Sequence, residues 1–163
     1  MEAARLATVD DVASLARLAE QAVAEQVTDR GGAVWAQRET RPLPADDSLR
    51  AALADPRQLV VAGTIDDVVI GYGAVRLERL RNDELLAVIT DLFVEPEARA
   101  VGVGEAVVTM ILDWAGAQGC MGVDALALPG NRDTKNFFET FGFTARALVV
   151  HRRLVPAADG VSG

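Results

Sequence analysis

The apolar run Leu92-Phe93-Val94 leads through Glu95-Pro96-Glu97 into Arg99-Ala100-Val101-Gly102-Val103-Gly104, where an apolar helical pattern begins. The order strand, glycine turn, helix restricts the fold more than any other stretch of the chain. The first N–H groups of a helix lack intrahelical partners and converge on one spot, and the helix dipole adds partial positive charge there. Glycines at 102 and 104 permit positive φ and let a ligand approach the backbone closely. Such a turn is a cradle for phosphate. Two glycines between a strand and a helix also make an ordinary connection, so the turn alone leaves both readings open. A dinucleotide-binding βαβ unit is the obvious competitor, and it fits poorly. Val107 stands where the third glycine of G-x-G-x-x-G belongs, and no second βαβ half follows the turn.

The 163 residues suit a single domain over 1–154 with a small-residue tail over 155–163. Apolar residues make up 50% of the chain, which argues against disorder. No apolar run approaches the roughly 20 residues of a bilayer span, so no membrane partner is expected. The first residues, Met1-Glu2-Ala3-Ala4-Arg5, lack a basic-then-apolar leader pattern, and Cys120 is the only cysteine. Both features point to a cytoplasmic setting without disulfides. One cysteine and one histidine cannot furnish a structural zinc site, and no metal is expected. The net charge of −8 argues against nucleic acid, whose phosphates need a basic face. It suits a cationic acceptor such as an amine, and it equally serves solubility.

Hydrophobic periodicity supplies the elements. Residues 4–7 read as a short strand, and Thr8 with Asp11 forms a capping box. Val12, Leu15, Leu18, Ala19, Ala22 and Val23 then mark one face of a helix. Residues 28–47, with Gly31-Gly32, Pro42 and Pro44, read as loop with one helical piece around Trp35, and 48–54 as another short helix. Residues 59–65 and 68–77 are β-rich and flank Asp66-Asp67, the pattern of a hairpin. A second turn at Arg81-Asn82-Asp83 leads to a strand over 84–94. The helix after Gly104 lines one face with Val107, Val108, Ile111, Trp114 and Ala115. A buried strand over 123–128, a helix over 133–140 and a last strand over 143–154 complete the chain. The fold class is α+β: a mixed, mostly antiparallel sheet with helices on both faces, whose helical crossover is long enough to join parallel strands.

Three motifs occur in order: Arg5-Leu6-Ala7-Thr8-x-Asp10-Asp11, then Arg99-x-x-Gly102-x-Gly104 after Val94-Glu95-Pro96-Glu97, then Asn131-x-x-Thr134-x-x-Phe137-Phe138-Glu139-Thr140-Phe141-Gly142-Phe143. Together they span nearly the whole chain and resemble the GNAT superfamily of N-acyltransferases, which use acyl-coenzyme A. The resemblance implies direct transfer of an acetyl group from acetyl-CoA to a small amine or peptide amine in a ternary complex. A homodimer is compatible with it. The alternative is a non-catalytic acyl-CoA-binding sensor or regulatory module.

By this resemblance the N–H groups of Val101, Gly102, Val103, Gly104 and Glu105 bind the pyrophosphate. The backbone at Phe93 and Val94 pairs with pantetheine, an N–H of one of them facing the thioester oxygen. Asn131 bonds the pantetheine arm, and Phe138 packs beside it. Two positions depart from the family pattern. Ala100 and Val101 stand where glycine and a basic residue are common, leaving Arg99, Arg132 and Lys135 to supply positive charge. Phe138 replaces the tyrosine that usually protonates the departing thiolate. Acyl transfer to an amine also needs the amine neutral and the developing oxyanion stabilised. Asp91, inside an apolar strand and two residues from Phe93, is the first choice of general base, and burial is expected to raise its pKa. A turn centred on Arg81-Asn82 would set Tyr72, the only tyrosine, directly opposite Asp91. Trp35, Glu39 and Arg41 lie in the segment that lines the acceptor site in similar folds. His151 and Cys120 read as non-catalytic.

Overall fold

The structure, a computed structural model, describes residues 1–99 and 101–155. Ala100 and the tail from 156 onward lie outside the described residues. The chain forms two compact units, 1–22 with 41–124 and 23–40 with 125–163.

The first unit holds a five-stranded sheet in sequence order: β1 (Glu2–Leu6), β2 (Gln58–Ile65), β3 (Val68–Arg79), β4 (Leu85–Val94) and β5 (Gly122–Asp124). The first three pairings are antiparallel, and β5 is parallel to β4. Asp66 and Asp67 both take positive φ, 48° and 67°, the backbone that a two-residue hairpin of matching twist requires. Side chains alternate across a strand, so Val60, Tyr72, Ala74 and Phe93 share one face. They pack with Leu15, Leu18 and Ala19 of α1 (Val12–Gln26) and with Leu49 and Ala52 of α3 (Asp46–Ala54). The other face carries α4 (Val103–Ala117), which buries Val103, Val107, Val108 and Ile111 completely. A Cβ on Gly73 would stand 2.7 Å from Val107 and 3.0 Å from Ile111; the lack of a side chain there lets α4 lie close. At the start of α1, Asp11 accepts the Thr8 N–H at 2.8 Å and pairs with Arg5 through both guanidinium Nη atoms, at 2.8 and 2.9 Å.

The second unit contains α2 (Gly32–Arg38) and α5 (Arg132–Thr140). Asn131 caps α5, its side-chain oxygen accepting the Thr134 N–H at 3.1 Å. Phe138 is 6% exposed and packs against Phe137 and Phe143, with ring centroids 5.6 and 5.1 Å away.

Two expected strands differ. The one expected over 123–128 is only Gly122–Asp124, because its parallel ladder with β4 ends at the Val88–Asp124 pair. Residues 143–154 form no strand. Leu148, Val149, Val150 and Leu154 are 84–91% exposed. Their apolar residues come in a block, followed by His151-Arg152-Arg153, without the alternation that buries one face of a sheet. High β propensity without a partner does not make a strand.

Candidate active site

The strand β4 carries or adjoins the candidate site residues of the first unit. Its pairing with β3 runs Arg79 to Leu85 through Val75 to Ile89, and then shifts so that Ala74 faces Asp91 and Tyr72 faces Phe93. Thr90 is the extra residue of a β-bulge. Tyr72 is therefore not directly opposite Asp91, as a turn centred on Arg81-Asn82 would have it. The turn is one residue longer than that spacing assumes, and the bulge adds another. The bulge decides the chemistry of the strand. With the register of its first half, Asp91 would face Gly73 and point toward α4; the added residue turns it to the face of Tyr72.

On that face Asp91 accepts four hydrogen bonds. Arg41 binds it with two parallel bonds, Nε to Oδ2 at 2.9 Å and Nη2 to Oδ1 at 2.7 Å. The Tyr72 hydroxyl donates to Oδ2 at 2.7 Å, and the Thr90 hydroxyl donates to Oδ1 at 2.7 Å. The Arg41 and Asp91 side chains are 11% and 10% exposed, and Tyr72 is buried. A carboxylate has about four lone-pair sites, so every one is engaged. The expected rise in the Asp91 pKa does not occur. Burial pushes its carboxyl up, but the Arg41 guanidinium, with the Thr90 and Tyr72 hydroxyls, outweighs burial and holds it below the usual aspartate range. Burial and the adjacent Asp91 charge push the Tyr72 hydroxyl well above its usual value. The cluster is thus a fixed anion, a fixed cation and a phenol that keeps its proton.

Farther along, Phe93 and Val94 are buried. Arg99 folds back on the strand end, its Nε donating to the Val94 carbonyl at 2.8 Å while its guanidinium carbon lies 5.3 Å from the centre of the Phe93 ring. Beyond Val88 the edge of β4 away from β3 has no β5 partner. The strand then runs into the glycine turn. Gly102 takes φ of 92° and sits at the N-cap of α4. The first helical bond is from the Ala106 N–H to the Gly102 carbonyl, so the N–H groups of Val103, Gly104 and Glu105 precede it. These groups fit a pyrophosphate. The side chains around the turn do not add to that fit: a Cβ on Gly102 would meet the Glu2 side chain at 3.5 Å and a Glu105 carboxylate oxygen at 4.0 Å. An anion at this turn would meet backbone N–H groups, with the Glu2 and Glu105 side chains nearby.

In the second unit the Asn131 amide nitrogen donates to the Gln26 side chain at 3.2 Å, besides the cap. Lys135 pairs with Glu139 at 3.1 Å. Trp35 is half-buried on α2, and Arg132, Glu39 and His151 are exposed. Burial raises the thiol pKa of Cys120, which keeps it from being a ready nucleophile. Among the described residues no group of three metal-ligating side chains occurs, and no helix is long and apolar enough to cross a membrane. Sequence reasoning missed the pairing of Arg41 with Asp91, fifty residues apart. The one available signal was an aspartate inside an apolar strand, which calls for a buried counter-charge.

Residues 17–143 match the Acetyltransferase (GNAT) family, and the chain belongs to it. No curated protein matches it in sequence. The fold is shared by solved structures of low identity. A tetramutant of the BH1408 protein from Bacillus halodurans superposes with a TM-score of 0.80 at 22% identity, covering 93% of this chain and 99% of that one. Glucosamine-6-phosphate N-acetyltransferase from Arabidopsis thaliana gives 0.70 at 16% identity, covering 95% and 99%. An aminoglycoside acetyltransferase from an uncultured soil metagenomic sample, in complex with sisomicin, gives 0.68 at 17%, covering 96% and 97%.

Proposed function

We propose that this chain is a cytoplasmic N-acetyltransferase that moves an acetyl group from acetyl-CoA to a primary amine by direct attack, with both substrates bound. The observation that carries the reading is the open edge of β4. Its parallel ladder ends at Val88, and the edge beyond, without a strand partner among the described residues, leads to the glycine turn ahead of α4 within one unit. On this reading the backbone of Phe93 and Val94 receives the pantetheine arm as an added strand. One of their N–H groups faces the thioester oxygen, where negative charge develops. The N–H groups of 102–105 take the pyrophosphate; the Val101 N–H, expected to join them, instead donates to the Ala98 carbonyl at 3.4 Å, and Arg99 steadies the end of β4. The thioester supplies the activated acetyl group. On the acceptor side the lone-pair sites of Asp91 are all engaged, so it acts not as a base but by fixing the Tyr72 hydroxyl, whose oxygen orients the amine or a water.

A sensor that binds acyl-CoA without turning it over is the second reading. Phe138, packed among other aromatic rings and without a proton to give, favours it. A thermal-shift series tests binding. Acetyl-CoA raises the melting temperature of the natural protein and does nothing for Gly102→Glu, which puts bulk and negative charge where phosphate would lie. An unchanged melting temperature in the natural protein rejects both readings. Binding without thiol release across a panel of amines selects the sensor.

A further inference from the structure

We infer that Arg41 is a positioning residue for acyl transfer: through its two parallel bonds to Asp91 it holds the bulged stretch of β4, Thr90 to Val94, in place without touching a substrate. The inference rests on the reading of that stretch as the strand along which acyl-CoA lies. An interior strand is normally held by ladders on both edges. Among the described residues, β4 from Ile89 onward pairs with β3 alone, and at Thr90 the bulge interrupts even that ladder. Backbone held on one side and bulged opens readily. A reacting group misplaced by about 1 Å costs about 100-fold in rate, so this stretch needs another restraint.

The Asp91 cluster is that restraint. Its donors come from three directions: Tyr72 on β3, Thr90 in the bulge itself, and Arg41 on the segment leading into α3. Arg41 is in turn tied to α3, because its Nη1 donates to the Ser48 hydroxyl at 3.2 Å and that hydroxyl donates to the Ala45 carbonyl at 3.1 Å. Hydrogen bonds thus run unbroken from the N-terminus of α3 to the bulge. Stability alone does not call for such a pair, because well-packed apolar side chains of similar volume are often as stabilising as a buried ion pair. A planar guanidinium does what they cannot: it sets both the position and the orientation of a carboxylate. Lysine, a point charge, would hold the position alone.

Hydrogen–deuterium exchange on the full chain tests this with Arg41→Lys and Arg41→Met, and with Arg50→Met as a surface control. In both Arg41 variants the amides of residues 89–94 should exchange at least about tenfold faster relative to those of β2, as expected for local rather than global opening. The control should match the natural protein. Where turnover is measured, kcat should fall by up to about 100-fold while the affinity for free CoA stays unchanged. Equal acceleration in all strands, or none in β4, overturns the inference, because Arg41 then contributes only to global stability or to nothing. A separate arm adds acetyl-CoA to the natural protein. Protection of 89–94 supports the reading of β4 as the cofactor's strand. Its absence overturns that reading, and with it the role in acyl transfer, even if Arg41 proves to anchor the strand.

Discussion

Asp91 shows how one residue's chemistry depends on its partners. An aspartate in an apolar strand invites the reading of a base with a raised pKa, yet four donors make it a permanent anion. Asp91→Asn leaves Arg41 buried without its counter-charge. We expect a loss of about 3–5 kcal/mol of stability, the usual cost of breaking a buried pair on one side, read from the denaturant midpoint at neutral pH. The natural protein should also show a pH dependence that the variant partly lacks. A carboxyl held below its usual pKa in the fold binds its proton more weakly there than in the unfolded chain. Its contribution is complete above the unfolded value of about 3.9 and is lost as pH falls through the folded value. Asp91, Asp11 and Asp55 are all lowered, so stability should fall between about pH 5 and pH 1. Asp91→Asn should keep only the Asp11 and Asp55 parts of that fall. An identical acid profile in both proteins would mean that the Asp91 carboxyl is not held as described.

At the scale of elements, the glycine of β3 beneath α4 gives a packing prediction. Gly73→Ala forces a methyl group toward Val107 and Ile111, both fully buried, and overpacking of this kind costs about 1–3 kcal/mol. A denaturant midpoint equal to that of the natural protein would show that α4 moves away freely. Much at this scale was legible in the sequence. Asp66-Asp67 between two β-rich runs marked the hairpin, and Val107, Val108, Ile111 and Ala115 marked the buried face of α4. The features that escaped share a cause. The bulge at Thr90 has no residue signature of its own, and counting pairs outward from the turn assumes one residue opposite one residue. Leu148-Val149-Val150 has strand propensity, but a strand also needs an edge to pair with, and no local spacing reveals one. Asp91 and Arg41 were each singled out, Arg41 only by its segment, but their pairing was not, because fifty residues of chain separate them and only the fold brings them together.

For the molecule as a whole, the family is shown, while the acetyl-CoA donor, the amine acceptor and direct attack are proposals. A net charge of −8, with Glu2 and Glu105 beside the glycine turn, means that the proposed polyanionic cofactor would be held by backbone N–H groups against an unfavourable field. Binding should nevertheless stabilise the fold by mass action, by about 2.7 kcal/mol at a hundredfold excess over Kd, and this is read from the shift in the unfolding midpoint. The most direct test of the central claim is to incubate the full chain with acetyl-CoA and a panel of primary amines, following thiol release together with the mass of each amine. The account predicts that at least one amine gains one acetyl group for each thiol released, and that Gly102→Glu shows neither. It is contradicted if acetyl-CoA is neither bound nor consumed by the natural protein with any amine of the panel.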